Sequence, residues 1–155
     1  MIVSARNLWT GALACAAAGA LLALSFVATP VKFLANGVPL EHLLLVGRVT
    51  FRGSLATELC LLVPLLIVAS GRLRWLAGLA AMVLAVQWLL IMPALDARTL
   101  ARIDGAMLPP SSLHIVWIVA DAARVVVYLA TAALALAPQR RWHTGVLVRA
   151  PFAPN

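Results

Sequence analysis

His114, Trp117, Asp121, Arg124 and Tyr128 follow one another at spacings of 3, 4, 3 and 4 residues, with only Ala, Val and Ile between them. On an α-helix, which turns about 100° per residue, these five side chains fall within roughly 80° of one another. A polar stripe on so apolar a helix must face a bundle interior or a wet cavity. An ionised group at the centre of a membrane helix costs about 2.5 to 3.5 kcal/mol on the insertion scale, so it is usually paired and often functional. The chemistry such a stripe offers is proton transfer and anion holding. A histidine at position 114 exchanges a proton near neutral pH. Asp121 would orient it or relay protons, Arg124 would hold an oxyanion or a quinone-like group, and Tyr128 would hydrogen-bond or stack. His114 and Asp121 are the candidate catalytic residues. The same stripe also has a structural reading, a buried ion-pair network that fixes helix register.

Partners for the stripe come from two other apolar segments. Glu41, Arg48 and Arg52 share one face at spacings of 7 and 4, and Glu58 lies further along the same segment. Charge matching pairs Glu58 with Arg124, and Asp121 with Arg48 or Arg52, or with Arg124 on its own helix. Gln87 joins from the third segment. The candidate ligand-binding set is therefore Arg124, Tyr128, Arg52, Glu58, Gln87 and Trp117. The cleft is expected to open toward the connections around residues 31–50 and 96–112, with His114 at its mouth.

Other chemistries lack their residues. No C-x-x-C, Glu-x-x-His, H-E-x-x-H, G-x-S-x-G or Gly-rich phosphate loop occurs. His42 lies at an interface and His143 in the tail on the opposite side, so two axial histidines for a haem do not assemble, and no metal site is expected. The residues name no cofactor. Cys15 and Cys60 both sit inside apolar stretches and read as small buried hydrophobes.

These side chains must be positioned by membrane helices. Of the 155 residues, 64% are hydrophobic and 11% charged, against about half and a quarter in soluble domains. A span needs about 20 apolar residues, and the length accommodates four. The fold expected is all-α, an integral membrane antiparallel four-helix bundle in a single domain. Helices are predicted at about 8–28, 41–69, 75–95 and 113–137, followed by a tail over 138–155 that is surface-lying or partly disordered. The first should end at Thr29-Pro30, because Pro disfavours helix at the residue before it. Pro64 should kink the second, and Pro93 falls near the end of the third. The loop 96–112 is the most polar stretch, and Ser112 should cap the fourth helix.

The formal net charge of +7 belongs to flanks that meet anionic headgroups. The basic residues form no face for nucleic acid. Arg6, Arg72, Arg74, Arg140, Arg141 and Arg149 stand on one side, against Lys32, Arg48, Arg98 and Arg102 on the other, a slight bias whether or not Arg52 is counted with the second group. That bias places both termini in the cytoplasm of a bacterial inner membrane. Trp9, Trp75 and Trp142 fit the interfacial belt, whereas Trp88 and Trp117 lie deeper, in packing or cleft wall. Gly11, Cys15 and Gly19 put a small residue at every fourth position, a flat face for a second copy or another membrane protein.

Thr29-Pro30 with Lys32-Phe33, Arg48 and Phe51, Pro93 before Asp96, and His114 opening the last helix resemble small four-helix bacterial membrane proteins of unassigned function. More distantly, the arrangement is similar to the anthrone-oxygenase-like membrane family. The resemblance implies the fold and no activity. The functional expectation is a polar site inside the bundle for a small apolar or quinoid ligand. An enzyme built on it would be an oxidoreductase or isomerase. The alternatives are an accessory or assembly subunit with a structural ion-pair network, and an oligomeric transporter or channel.

Overall fold

The computed structural model describes residues 3–137. Ser4 opens the first helix by accepting the Asn7 amide on its hydroxyl at 3.2 Å, which satisfies one of the free donors of the first turn. Four helices follow: α1 Ala5–Leu34, α2 Leu40–Val68, α3 Arg72–Ile103 and α4 Leu113–Leu136. Each is long and apolar enough to cross a membrane, and no strand occurs among the described residues. The all-α class and the four long apolar helices are as the sequence implies. The tail over 138–155, with Trp142 and His143, lies outside the described residues.

Two boundaries differ from expectation for one shared reason. Neither Pro30 nor Pro93 ends its helix. In each case a π-helical stretch comes just before the proline, Leu22–Ala28 in α1 and Gln87–Ile91 in α3. The Thr29 amide donates to Leu24 O and the Met92 amide to Gln87 O, each five residues back. The Thr29 hydroxyl donates to Leu24 O as well, at 2.9 Å. A proline ring strikes the carbonyl four residues before it in a regular helix, and a wider turn at that point gives it room. So α1 continues to Leu34, and α3 continues past Leu95 to Ile103. Asp96 and Arg98 therefore stand on a helix and not in a loop. α2 also runs through Pro64 without interruption.

The Ser70-Gly71 turn between α2 and α3 requires its glycine, since Gly71 sits at φ +53°. Arg74 donates from Nε to Ala69 O at 2.9 Å and closes the end of α2. Arg6 hydrogen-bonds the Ser70 hydroxyl, so the start of α1 lies beside this turn. α1 packs against α2 and α4, and α3 packs against the same two. The core is Ala14, Ala17, Ala18 and Leu21 of α1 with Leu55, Leu62 and Leu65 of α2, Ala80 and Leu84 of α3, and Val125 and Ala132 of α4.

Gly11, Ala14, Ala17 and Ala18 of α1 serve the chain's own packing. Gly11 is buried under the end of α4, where a Cβ would stand 2.7 Å from Leu136 Cγ. Cys15 and Gly19 point away from that face and are exposed. The expected face is thus divided, because the buried side of α1 runs through Thr10, Ala14, Ala17 and Leu21 at mixed spacings of three and four. Cys60 is exposed too, so the expectation that both cysteines are buried is corrected. Gly11→Val should lower stability by about 1 to 3 kcal/mol by overpacking against Leu136. Gly19→Val should stay within about 0.5 kcal/mol, since nothing lies within 4 Å of a Cβ there. Melting of the two variants in detergent checks the contrast.

Candidate functional site

Three helices converge on the stripe of α4. Glu58 comes from α2, Gln87 from the π-helical stretch of α3, and Asp121, Arg124 and Tyr128 from α4. Relative exposures are 2% for Glu58, 0% for Gln87 and Tyr128, and 1% for Asp121 and Arg124. Arg124 pairs with Glu58 Oε2 through one terminal nitrogen and with Asp121 Oδ1 through the other. Tyr128 donates its hydroxyl to Glu58 Oε1 at 2.7 Å. Gln87 donates from Nε2 to Asp121 Oδ1 at 2.9 Å and to the Trp117 carbonyl at 3.3 Å. The spacing of α4 and the charge matching of Glu58 with Arg124 are realised, and Gln87 joins as expected.

The network is unbalanced in charge and in hydrogen bonds. It holds two carboxylates and one guanidinium. Four of its buried polar atoms have no protein partner: Asp121 Oδ2, Gln87 Oε1, Trp117 Nε1 and Arg124 Nε. A buried polar group left unpaired costs about 1 to 3 kcal/mol. Asp121 is the most telling case, because one carboxylate oxygen takes two donors and the other takes none.

A cavity of about 220 Å³ adjoins this half-used carboxylate, with Asp121, Trp117 and His114 of α4 in its wall. Phe26, Phe33 and Pro30 of α1 and Phe51 of α2 supply the apolar surface, with Ser25 and Thr29 as the only hydroxyls. The π-helical stretch of α1 and its proline thus form one side of the cavity. The rings are mutually arranged: Phe51 lies 5.2 Å from Trp117, tilted by 55°, and 6.2 Å from His114, edge-on at 66°. His114 is exposed and also borders two further cavities nearer the helix ends, of about 360 and 120 Å³. It stands at the mouth, where the sequence places it, and makes no direct contact with the ion-pair network.

Other expectations are corrected. Arg52 does not reach Asp121, and neither does Arg48. Both bind Asp96 of α3, Arg48 through Nε at 2.8 Å to Oδ1 and Arg52 through a terminal nitrogen to Oδ2. Arg52 is exposed and lines none of the three cavities. The reason is the continuation of α3 past Pro93, which carries Asp96 to the arginines. Trp88 faces outward at 41% exposure and is no part of the cleft wall. Ser112 makes no capping bond, and the Ser111 hydroxyl accepts the Leu113 amide at 3.2 Å instead. Asp96, Phe51, Thr29 and Lys32 are site neighbours that no spacing rule singled out. Among the described residues, no three His, Cys, Asp or Glu side chains come together as a metal site.

No family model, no curated protein and no solved structure matches the chain. The reading of the site rests on its own geometry.

Proposed function

We propose that this chain is a multi-pass inner-membrane protein, an antiparallel bundle of four spans with both termini in the cytoplasm. Its interior binds a small, largely apolar or quinoid molecule. The contacts of Arg6 with Ser70 and of Gly11 with Leu136 support the antiparallel arrangement, since they bring the start of α1, the α2–α3 turn and the end of α4 together. The basic residues Arg6, Arg72 and Arg74 gather at that end, in keeping with a cytoplasmic face.

The observation that carries the ligand reading is Asp121, a carboxylate with no protein partner for Oδ2 and a residue of the wall of an aromatic-lined cavity of about 220 Å³. Ligand sites combine apolar walls with a few placed polar groups, and a buried acceptor without a partner marks where the ligand's polar group belongs. Any chemistry on the ligand falls to His114 and Asp121, which border the same space. Arg124 is held by both carboxylates and acts by fixing Asp121.

The test is titration of the purified protein with 1,4-naphthoquinone and its quinol, read by native mass spectrometry. Asp121→Asn should weaken binding of the quinol by about ten-fold, the loss of a charge-assisted hydrogen bond. Absence of any adduct, or equal affinity in the variant, overturns the reading. A second reading, an accessory subunit with a structural network, draws support from the enclosure and mutual pairing of Glu58, Arg124 and Asp121. It requires a partner protein that co-purifies in mild detergent.

A further inference from the structure

We infer that the ligand of this interior also carries an oxyanion, a carboxylate or phosphate group, and that Lys32 holds it. The inference rests on the reading of the aromatic cavity as a ligand site and adds a second anchoring point to it.

Lys32 lies near the end of α1 with its ammonium held between rings and backbone. Nζ is 5.0 Å from the centre of the Phe33 ring and 5.6 Å from that of Phe51. Gly47 of α2 provides the remaining wall, for a Cβ at that position would stand 2.0 Å from Nζ. The ammonium is thus seated, and it has no carboxylate partner among the described residues. The nearby candidates are taken: Asp96 by Arg48 and Arg52, and Glu58 and Asp121 by Arg124. Two aromatic faces supply only a fraction of what an anion would give a partly desolvated ammonium.

The space beside Lys32 is a cavity of about 120 Å³, bordered by Arg48, Asp96, His114, Thr29 and Thr99. Lys32 and Arg48 set two positive charges against the single carboxylate of Asp96. The excess there is positive, whereas the inner network has an excess of negative charge. The two cavities share Thr29, Phe33, Phe51 and His114. The inferred ligand lies across both. Its oxyanion would meet Lys32, its ring would lie against Phe33 and Phe51, and a hydrogen-bond donor at its far end would meet Asp121. A simple cation is disfavoured at the outer end by Lys32 and Arg48, and a wholly apolar ligand leaves both ends unsatisfied. The oxyanion has two possible sources, a free amphipathic acid or the headgroup of an anionic phospholipid.

The experiment compares 1-naphthoate with methyl 1-naphthoate, binding to the full chain in phosphatidylcholine nanodiscs. A parallel native mass-spectrometric measurement follows lipid retained from discs that also contain phosphatidylglycerol. The acid should bind at least about ten-fold more tightly than the ester, an ordinary value for one charge-assisted contact. Lys32→Gln should remove that preference, and Asp121→Asn should keep it. Gly47→Ala, which displaces the ammonium, should reduce it and provides the test if Lys32→Gln does not fold. Lys32-dependent retention of phosphatidylglycerol without any acid preference identifies the oxyanion as a lipid headgroup. Equal binding of acid and ester, with lipid retention indifferent to Lys32, overturns the inference and leaves the cavity as a ligand site. If neither naphthalene probe binds and lipid retention is indifferent to Lys32, the inference is overturned, and the ligand reading stands or falls separately on the quinol titration.

Discussion

Arg124→Leu is expected to destabilise the protein by about 3 to 5 kcal/mol, the usual consequence of removing one partner from a buried charge pair. Arg124 is the only cation in the network, and it serves Glu58 and Asp121 at once. Without it, two carboxylates remain enclosed at 2% and 1% exposure. Tyr128 would still donate to Glu58 and Gln87 to Asp121, which is far less than two buried carboxylates need. The loss should appear as a low yield of monodisperse protein and a lower melting temperature in detergent. Adding Glu58→Gln and Asp121→Asn to Arg124→Leu should recover most of the loss, because neutral replacement of a whole buried ionic group is often tolerated. An Arg124→Leu protein that melts within about 1 kcal/mol of the parent would mean that the carboxylates are neutral or hydrated there, contrary to the enclosure described above.

The stripe of α4 was legible because, Thr131 apart, the rest of that helix is Ala, Val, Ile and Leu, so five polar or aromatic residues define one face. Glu58 followed from charge, since a carboxylate in an apolar segment has few possible partners and Arg124 is one of them. Asp96 was not legible as the partner of Arg48 and Arg52. Proline rules end a helix at Pro93, and nothing in the sequence announces the wider turn at Gln87–Ile91 that lets α3 continue. The same local rule misplaced the end of α1 at Pro30. Inward and outward apolar residues were also indistinguishable. In lipid, hydrophobicity no longer separates core from surface, so Cys15, Cys60 and Trp88 looked as buried as Ala14 or Leu62. What reveals the cavity is the way α1 and α4 come together around it, with Phe26, Phe33, Trp117 and Asp121 lining one space, and no periodicity within either helix reports that.

Trp117 separates packing from binding most cleanly. Its side chain is 2% exposed, it lies against Phe51 at 5.2 Å, and its backbone carbonyl accepts from Gln87. Trp117→Ala should cost about 3 to 5 kcal/mol, the usual range for truncating a buried aromatic side chain. The vacated space would join the existing cavity of about 220 Å³, so neighbouring groups cannot easily collapse to fill it. Trp117→Phe asks a different question. It keeps a ring against Phe51 and removes an indole N–H that has no protein partner. An unpaired buried donor contributes nothing favourable to the folded state, and its removal offsets part of the lost packing. Trp117→Phe should therefore melt within about 1.5 kcal/mol of the parent. If the indole N–H is satisfied by the bound molecule, the same change should weaken binding of 1,4-naphthoquinol by about five- to ten-fold. A variant that loses stability and affinity in proportion would assign Trp117 to packing alone. Retained stability with lost affinity would assign its N–H to the ligand, and would place the ligand's polar group between Trp117 and Asp121, one turn apart on the same face of α4.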